Sequence, residues 1–246
     1  MNKQNVIITG ANRGIGLAIM EQFAEAGANI FACARKETEQ FVNLIEELKA
    51  KYEVKITPVY FDLMNESMIK AGAKQILSIT KKIDVLVNNA GISYSGLFHM
   101  TPVDKLKEVF QVNFFSQILF TQLISRVMMR QRSGCIINMA SVGGIEAKPG
   151  YLAYGSSKAS VIWETRCLAV ELGQYNIRVN AIAPGLVDTE MGHVKSEDEI
   201  EKVLNRTPLS RMADKDEIAK AVLFLASEDA SFITGEILKV DGGRCC

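Results

Sequence analysis

Short apolar runs punctuate this chain at intervals: NVIITG, ANIFACA, KITPVYF, IDVLVNNAG, GCIINMAS, NIRVNAIAPG and EILKVDGG. Most are apolar at nearly every position rather than at alternate ones, the pattern of strands buried on both faces of a parallel sheet. Between them lie helix-length segments with apolar residues three and four apart, among them IGLAIMEQFAEAG, EQFVNLIEELKAKY, the stretch from Val103 to Met129, and EIAKAVLFLAS. Strand and helix alternate almost throughout. This predicts an α/β fold, a doubly wound parallel sheet of about seven strands with helices on both faces and right-handed crossovers. Such sheets take ligands at the carboxyl ends of their strands, so chemistry is expected just after strands.

No Pro/Ser-rich or charged linker divides the 246 residues, and 48% of them are hydrophobic, which predicts one domain over 1–246. The 28 basic residues balance 28 acidic ones, leaving no electrostatic footprint for nucleic acid or an anionic membrane. No apolar run approaches the ~18 residues of a membrane span. MNKQNVIITG enters a strand-like segment at once, leaving no room for a signal peptide, so a cytoplasmic location is expected. Cys33, Cys135, Cys167, Cys245 and Cys246 show no CxxC spacing and suit a reducing compartment; the terminal pair has no physical account. Two distant histidines, His99 and His193, offer little to a metal, and no metal is expected.

The first apolar run is followed by Thr9-Gly10-Ala11-Asn12-Arg13-Gly14-Ile15-Gly16 and then a helical segment. Glycines there let the backbone approach a pyrophosphate, and the helix N-terminus attracts its charge. Between strand and helix, this loop predicts a nucleotide site in a Rossmann-type sheet. The second run ends on Arg35 and Lys36 rather than on a carboxylate. With Arg13 in the loop, these cations favour a ribose 2′-phosphate, hence NADPH/NADP+; alternatively they begin a solvated helix, neutralised by Glu37 and Glu39. Asp62 and Leu63 after the third run are candidates for the adenine end. Asn89, Ala90 and Gly91 form a small turn after the fourth, suited to close cofactor approach. Ordinary turn chemistry explains the same residues.

Tyr154 and Lys158, four apart, share a helix face. Ser141 ends an apolar run thirteen residues before Tyr154, with Gly143, Gly144, Pro149 and Gly150 between. A loop of that kind lets the strand end fold over the start of the helix. Tyrosine, with an unperturbed pKa of ~10, becomes a usable acid or base when an ammonium favours its phenolate. Ser141 would then steady the oxygen of a carbonyl that accepts hydride.

TGANRGIG, NNAG, the Ser141, Tyr154 and Lys158 set and Pro184-Gly185 together resemble the short-chain dehydrogenase/reductase family over nearly the whole chain. The resemblance implies Asn113, Ser141, Tyr154 and Lys158 as the catalytic set, with Asn113 anchoring a water that relays protons to Lys158. It also implies Pro184, Gly185, Val187 and Thr189 beside the nicotinamide and its phosphate, with Tyr154 and Lys158 touching the cofactor. ELGQYNIRVNAIAPGLVDTEM and the following C-terminal segment are similar to the family's 3-oxoacyl-(acyl-carrier-protein) reductases. That likeness implies reduction of a 3-oxoacyl thioester in fatty acid biosynthesis, a homotetramer, and arginines near the active-site mouth that attract the acidic carrier protein. Arg132 matches one of these and Arg130 is near it, but Tyr175 stands where the other is expected.

The polar segment 192–212, with a capping-box pattern at Ser196 and Glu199, is expected to be a short substrate lid rather than a second domain. Tyr151 is expected as a wall of the substrate pocket beside Ser141 and Tyr154. The alternatives are the same chemistry on a sugar, polyol or small diketone, and a catalytically silent nucleotide-binding sensor.

Overall fold

A computed structural model describes residues 3–194 and 196–245. Its strands are β1 (Asn5–Thr9), β2 (Asn29–Ala34), β3 (Ile56–Tyr60), β4 (Val85–Asn88), β5 (Gly134–Met139), β6 (Ile177–Pro184) and β7 (Ile237–Val240). They form one parallel sheet in the order β3-β2-β1-β4-β5-β6-β7. The order reverses between β1 and β4, and a crevice opens there beyond the strand ends.

The sequence runs are continuously apolar because the sheet has a core on each face. In β2, Ile30, Ala32 and Ala34 enter one core, while Phe31 and Cys33 enter the other. β1 divides in the same way, Val6 and Ile8 against Ile7. Helices α1 (Gly14–Glu25), α2 (Glu39–Tyr52) and α8 (Lys215–Ala226) cover the first face. Helices α3 (Glu66–Ile79), α5 (Ser116–Gln131) and α6 (Leu152–Gly173) cover the second. The apolar stretch from Val103 to Met129 is not one straight helix. It comprises α4 (Val103–Phe110), a π-helical turn over Gln111–Phe115, and α5. At that turn the Asn113 amide is pinned to the chain after β4, accepting from Ile92 N at 2.8 Å and donating to Ile92 O at 2.9 Å. The widened turn accommodates this tie, and π-bulges of this kind are frequent at functional sites.

In the expected lid segment, α7 (Glu197–Leu204) starts at Ser196 with both capping-box bonds to Glu199 formed. Lys195 of that segment, Met1, Asn2 and Cys246 lie outside the described residues. Cys245 is held by its backbone, N–H donating to Asp241 Oδ2 at 2.9 Å. Among the described residues no helix is long and apolar enough to cross a membrane, and no cluster of His, Cys, Asp and Glu could hold a metal.

Candidate active site

The glycine loop is fixed by close contact. Gly10 sits at φ +67, and a Cβ on Gly16 would fall 2.1 Å from Gly10 O and 2.4 Å from Asn89 Nδ2. Only glycine permits α1 to start this close to the loop. Arg13, the residue before α1, makes no side-chain cap, so its side chain leaves the first N–H groups of the helix untaken. The cradle thus has the character that a pyrophosphate requires.

The structure gives several expected cofactor residues structural work as well. Asn89 Nδ2 donates to Thr9 O at 3.0 Å and Gly10 O at 3.2 Å, tying the end of β4 to the loop. Asp62 accepts from Met64 N at 2.8 Å in a local turn, and Leu63 O accepts from Ser116 Oγ. Arg13 pairs with Glu190 across the crevice. Arg35 and Lys36 are exposed, and among the described residues no ion pair joins them to Glu37 or Glu39. Asn12 is exposed, and Ile15 packs against the first core. The far wall is the segment after β6. Gly185 N donates to Val240 O at 3.0 Å, Val187 bridges to Ala213, and Thr189 Cγ2 stands 3.6 Å from where a Cβ on Gly14 would be. Glycine loop and Pro184–Thr189 segment therefore face each other across one groove.

The expected catalytic groups converge beyond β5. Ser141 is extended, and its Oγ accepts from Gly143 N at 3.1 Å. The following turn lies directly on α6, since a Cβ on Gly155 would meet Gly143 O at 2.6 Å and one on Gly144 would meet Ala159 N at 2.7 Å. That packing brings the Tyr154 phenol into hydrogen bonding with Ser141. Asn113 Nδ2 donates to Ser157 Oγ at 3.0 Å. A Cβ on Gly91 would lie 3.1 Å from Asn113 Oδ1 and 3.5 Å from Lys158 Nζ, so Gly91, Asn113 and Lys158 meet at one point. Tyr151 packs edge-on to Tyr154, with ring centroids 5.8 Å apart, and the Lys148 ammonium sits 3.5 Å from the Tyr151 centroid.

The electrostatics differ from the sequence expectation. Burial raises the Tyr154 pKa, opposed by the Ser141 bond. The ammonium does not reverse this, because Lys158 Nζ lies 6.0 Å from the Tyr154 ring centroid and donates instead to Met139 O at 2.6 Å. Burial pushes Lys158 itself down to about 8, opposed by the charge of Glu164.

The arginines expected near the site mouth are elsewhere in this chain. Arg130 is in the last turn of α5 and Arg132 caps its end, donating to Gln174 O at 3.0 Å and standing 6.0 Å from the Tyr175 ring. The 16 residues of α5 separate them from Asn113 by about 24 Å of helix. Two residues that the sequence reading missed do lie close to the catalytic groups, Gln117 on α5 and Glu164 on α6, bonded at 3.1 Å. A carboxylate inside the apolar run VIWETRCLAV was the available signal.

The match to known proteins follows this geometry. The family model described as Enoyl-(Acyl carrier protein) reductase matches residues 10–244. The chain is 40% identical to a 3-oxoacyl-(acyl-carrier-protein) reductase of Aquifex aeolicus, covering 96% of this chain and 95% of that protein. It is 37% identical to a 3alpha-hydroxysteroid dehydrogenase of Mediterraneibacter gnavus, over 96% and 94%. A Brucella melitensis 3-oxoacyl-(acyl-carrier-protein) reductase with bound NAD superposes with TM-score 0.89 at 31% identity, covering 98% and 91% of the two chains. The structure described as ElxO with NADP bound gives 0.90 at 30% identity, covering 98% of each. With the parallel sheet, the glycine cradle and the Ser141, Tyr154 and Lys158 cluster, these similarities place the chain in the short-chain dehydrogenase/reductase family of oxidoreductases.

Proposed function

We propose that this enzyme is an NADPH-dependent ketoreductase that converts a 3-oxoacyl thioester, as carried by acyl carrier protein in fatty acid biosynthesis, to the 3-hydroxyacyl product. The observation that carries the reading is the meeting of Ser141, Tyr154, Lys158 and Asn113 beside the glycine cradle. The bound dinucleotide supplies the hydride. Ser141 Oγ donates to the substrate carbonyl oxygen as negative charge grows there. Tyr154 gives that oxygen its proton. Lys158 holds positive charge behind Tyr154, and Asn113 secures the polar path through which the proton is replaced. Gly10, Asn12, Gly14, Ile15 and Gly16 would receive the pyrophosphate, Asp62 and Leu63 the adenine end, Asn89, Ala90 and Gly91 the stretch of cofactor that runs on toward Lys158, and Pro184, Gly185, Val187 and Thr189 the nicotinamide side. Arg35 and Arg13 select the 2′-phosphate, which requires Arg13 to leave Glu190.

Segment 192–212 serves as the substrate lid, with Arg206 at its far end paired to Glu146 of the Ser141 loop. Tyr151 lines the pocket. A homotetramer suits the exposed apolar side chains Phe115, Trp163 and Phe232; Trp163→Lys should shift the assembly to smaller species on size-exclusion chromatography. Carrier protein docking through Arg130 and Arg132 then depends on a second copy, because within one chain they lie at the opposite end of β5 from Ser141.

The second reading is the same chemistry on another ketone or alcohol, favoured by the similarity to a hydroxysteroid dehydrogenase. Oxidation of NADPH is followed with acetoacetyl thioesters of coenzyme A and carrier protein, beside a panel of hydroxysteroids, sugars and diketones. Turnover of the thioesters supports the first reading. Inert thioesters with another substrate turning over defeat it.

A further inference from the structure

Below Lys158, α6 carries a carboxylate that this reaction scheme leaves out. Ser157 and Glu164, seven residues apart, lie on one face of α6. Opposite them stand Asn113 and Gln117, four apart on the neighbouring helical run. Two polar rungs join the pairs: Asn113 Nδ2 donates to Ser157 Oγ at 3.0 Å, and Gln117 Nε2 donates to Glu164 Oε2 at 3.1 Å. Glu164 is only 7% exposed, and its Oε1 is buried with no hydrogen-bond partner. A carboxyl so placed opposes folding, and a site with no further task would be filled by an apolar side chain.

Lys158, 4% exposed, follows Ser157 on the same helix, and its Nζ meets Asn113 Oδ1 at Gly91, one helical turn from the Gln117 that holds this carboxyl. Burial pushes Glu164 up to about 8, opposed by the Gln117 bond and the Lys158 charge. The remaining charges around α6 are engaged elsewhere. On α4, Lys105 pairs with Glu108 and Lys107 with Asp104. On β6, Arg178 donates to the Ile233 and Ser227 carbonyls. Arg126 and Arg130 on α5, and Arg166 and Glu171 on α6, are exposed. Around Lys158, β5 offers a carbonyl, the π turn an amide, and the start of α6 the phenol of Tyr154, with the Tyr151 ring packed against it.

We propose that Glu164 is a positioning residue for proton transfer: its carboxylate, oriented by Gln117, is the counter-charge that keeps the Lys158 ammonium protonated on the alkaline side of neutrality. The inference rests on the roles given above to Tyr154 and Lys158. Removing a nearby negative charge lowers the pH at which an ammonium and a phenol each give up a proton. Both effects therefore move the alkaline limb of the reduction in the same direction, downward.

The test is kcat and KM for carbonyl reduction from pH 6 to pH 10 in wild type and Glu164→Gln, which keeps the side-chain shape and a partner for Gln117. The expected limb lies about one pH unit lower, with kcat close to wild type at pH 6, about tenfold lower at pH 9, and KM unchanged. Profiles that superimpose, or that differ by one factor at every pH, overturn the proposal and leave Glu164 a structural residue. Gln117→Leu strips the donor from the carboxylate, raises its proton affinity and shifts the limb the same way; it supplies the answer if Glu164→Gln does not fold. Tyr154→Phe in the same series separates the two claims. Full activity there sinks the catalytic assignment, whereas loss there with an unmoved Glu164→Gln profile sinks only the role of Glu164.

Discussion

Gly16→Ala tests whether the start of α1 is built for phosphate. The added methyl would sit 2.1 Å from Gly10 O, 2.4 Å from Asn89 Nδ2 and 2.8 Å from Gly10 C. Two of these neighbours are backbone, and the third is an amide that holds Thr9 and Gly10 in place. None can give way cheaply, so loop and helix must separate by about an ångström, at a cost of roughly 1–3 kcal/mol. Alanine returns up to ~1 kcal/mol of helix propensity. The net loss is on the order of 1–2 kcal/mol, which lowers Tm by roughly 2–8 °C in a chain of this size. Cofactor affinity falls further, because the N–H groups meant for the pyrophosphate move with the helix; at least about a tenfold rise in the NADPH Kd is expected, equivalent to ~1.4 kcal/mol. Gly173→Ala is the control. Beyond its chain neighbours and its own helix backbone, no atom lies within 4 Å of the added methyl, so it should be neutral or stabilising by up to ~1 kcal/mol and leave NADPH binding alone. Calorimetry and fluorescence titration read both quantities. Wild-type Tm and wild-type NADPH affinity in Gly16→Ala would refute the contact argument.

Arg35→Ala should weaken NADPH binding by about tenfold or more while changing NADH little, since a charge-assisted bond to the 2′-phosphate is worth ~1.5–3 kcal/mol; equal losses for both dinucleotides would remove Arg35 from that role. Glu164 should also appear in the pH dependence of stability. Its folded pKa, near 8, lies above the ~4.3 of an unfolded carboxyl, so the folded state binds more protons in between and wild type loses stability as pH rises through that window. Glu164→Gln lacks this term, and its Tm advantage over wild type should grow from pH 5 to pH 8, by up to a few kcal/mol in stability; a pH-independent difference would contradict the buried-carboxyl account.

The sheet was legible because its strands are buried twice: ANIFACA must hide both Ile30 and Phe31, and only a two-faced parallel strand does so. The glycine loop was legible for an equally direct reason, the carbonyl of Gly10 lying where a Gly16 side chain would be. The long apolar stretch after Val103 hid its π turn, because the tie from Asn113 to Ile92 spans 21 residues and leaves no mark in local periodicity. The surroundings of Lys158 were hidden too. Spacing placed the amine on the face of Tyr154, but its turn toward the Met139 carbonyl and its burial are tertiary facts. Arg130 and Arg132 were placed by likeness alone, and the direction of α5 carries them away from the site.

The central claim is that Tyr154 is the acid of a carbonyl reduction. Tyr154→Phe removes one oxygen and leaves the ring packed against Tyr151. Steady-state NADPH oxidation with an acetoacetyl thioester should then fall by about 10²–10⁴-fold in kcat while NADPH affinity stays near wild type. A variant that retains wild-type kcat would contradict the account.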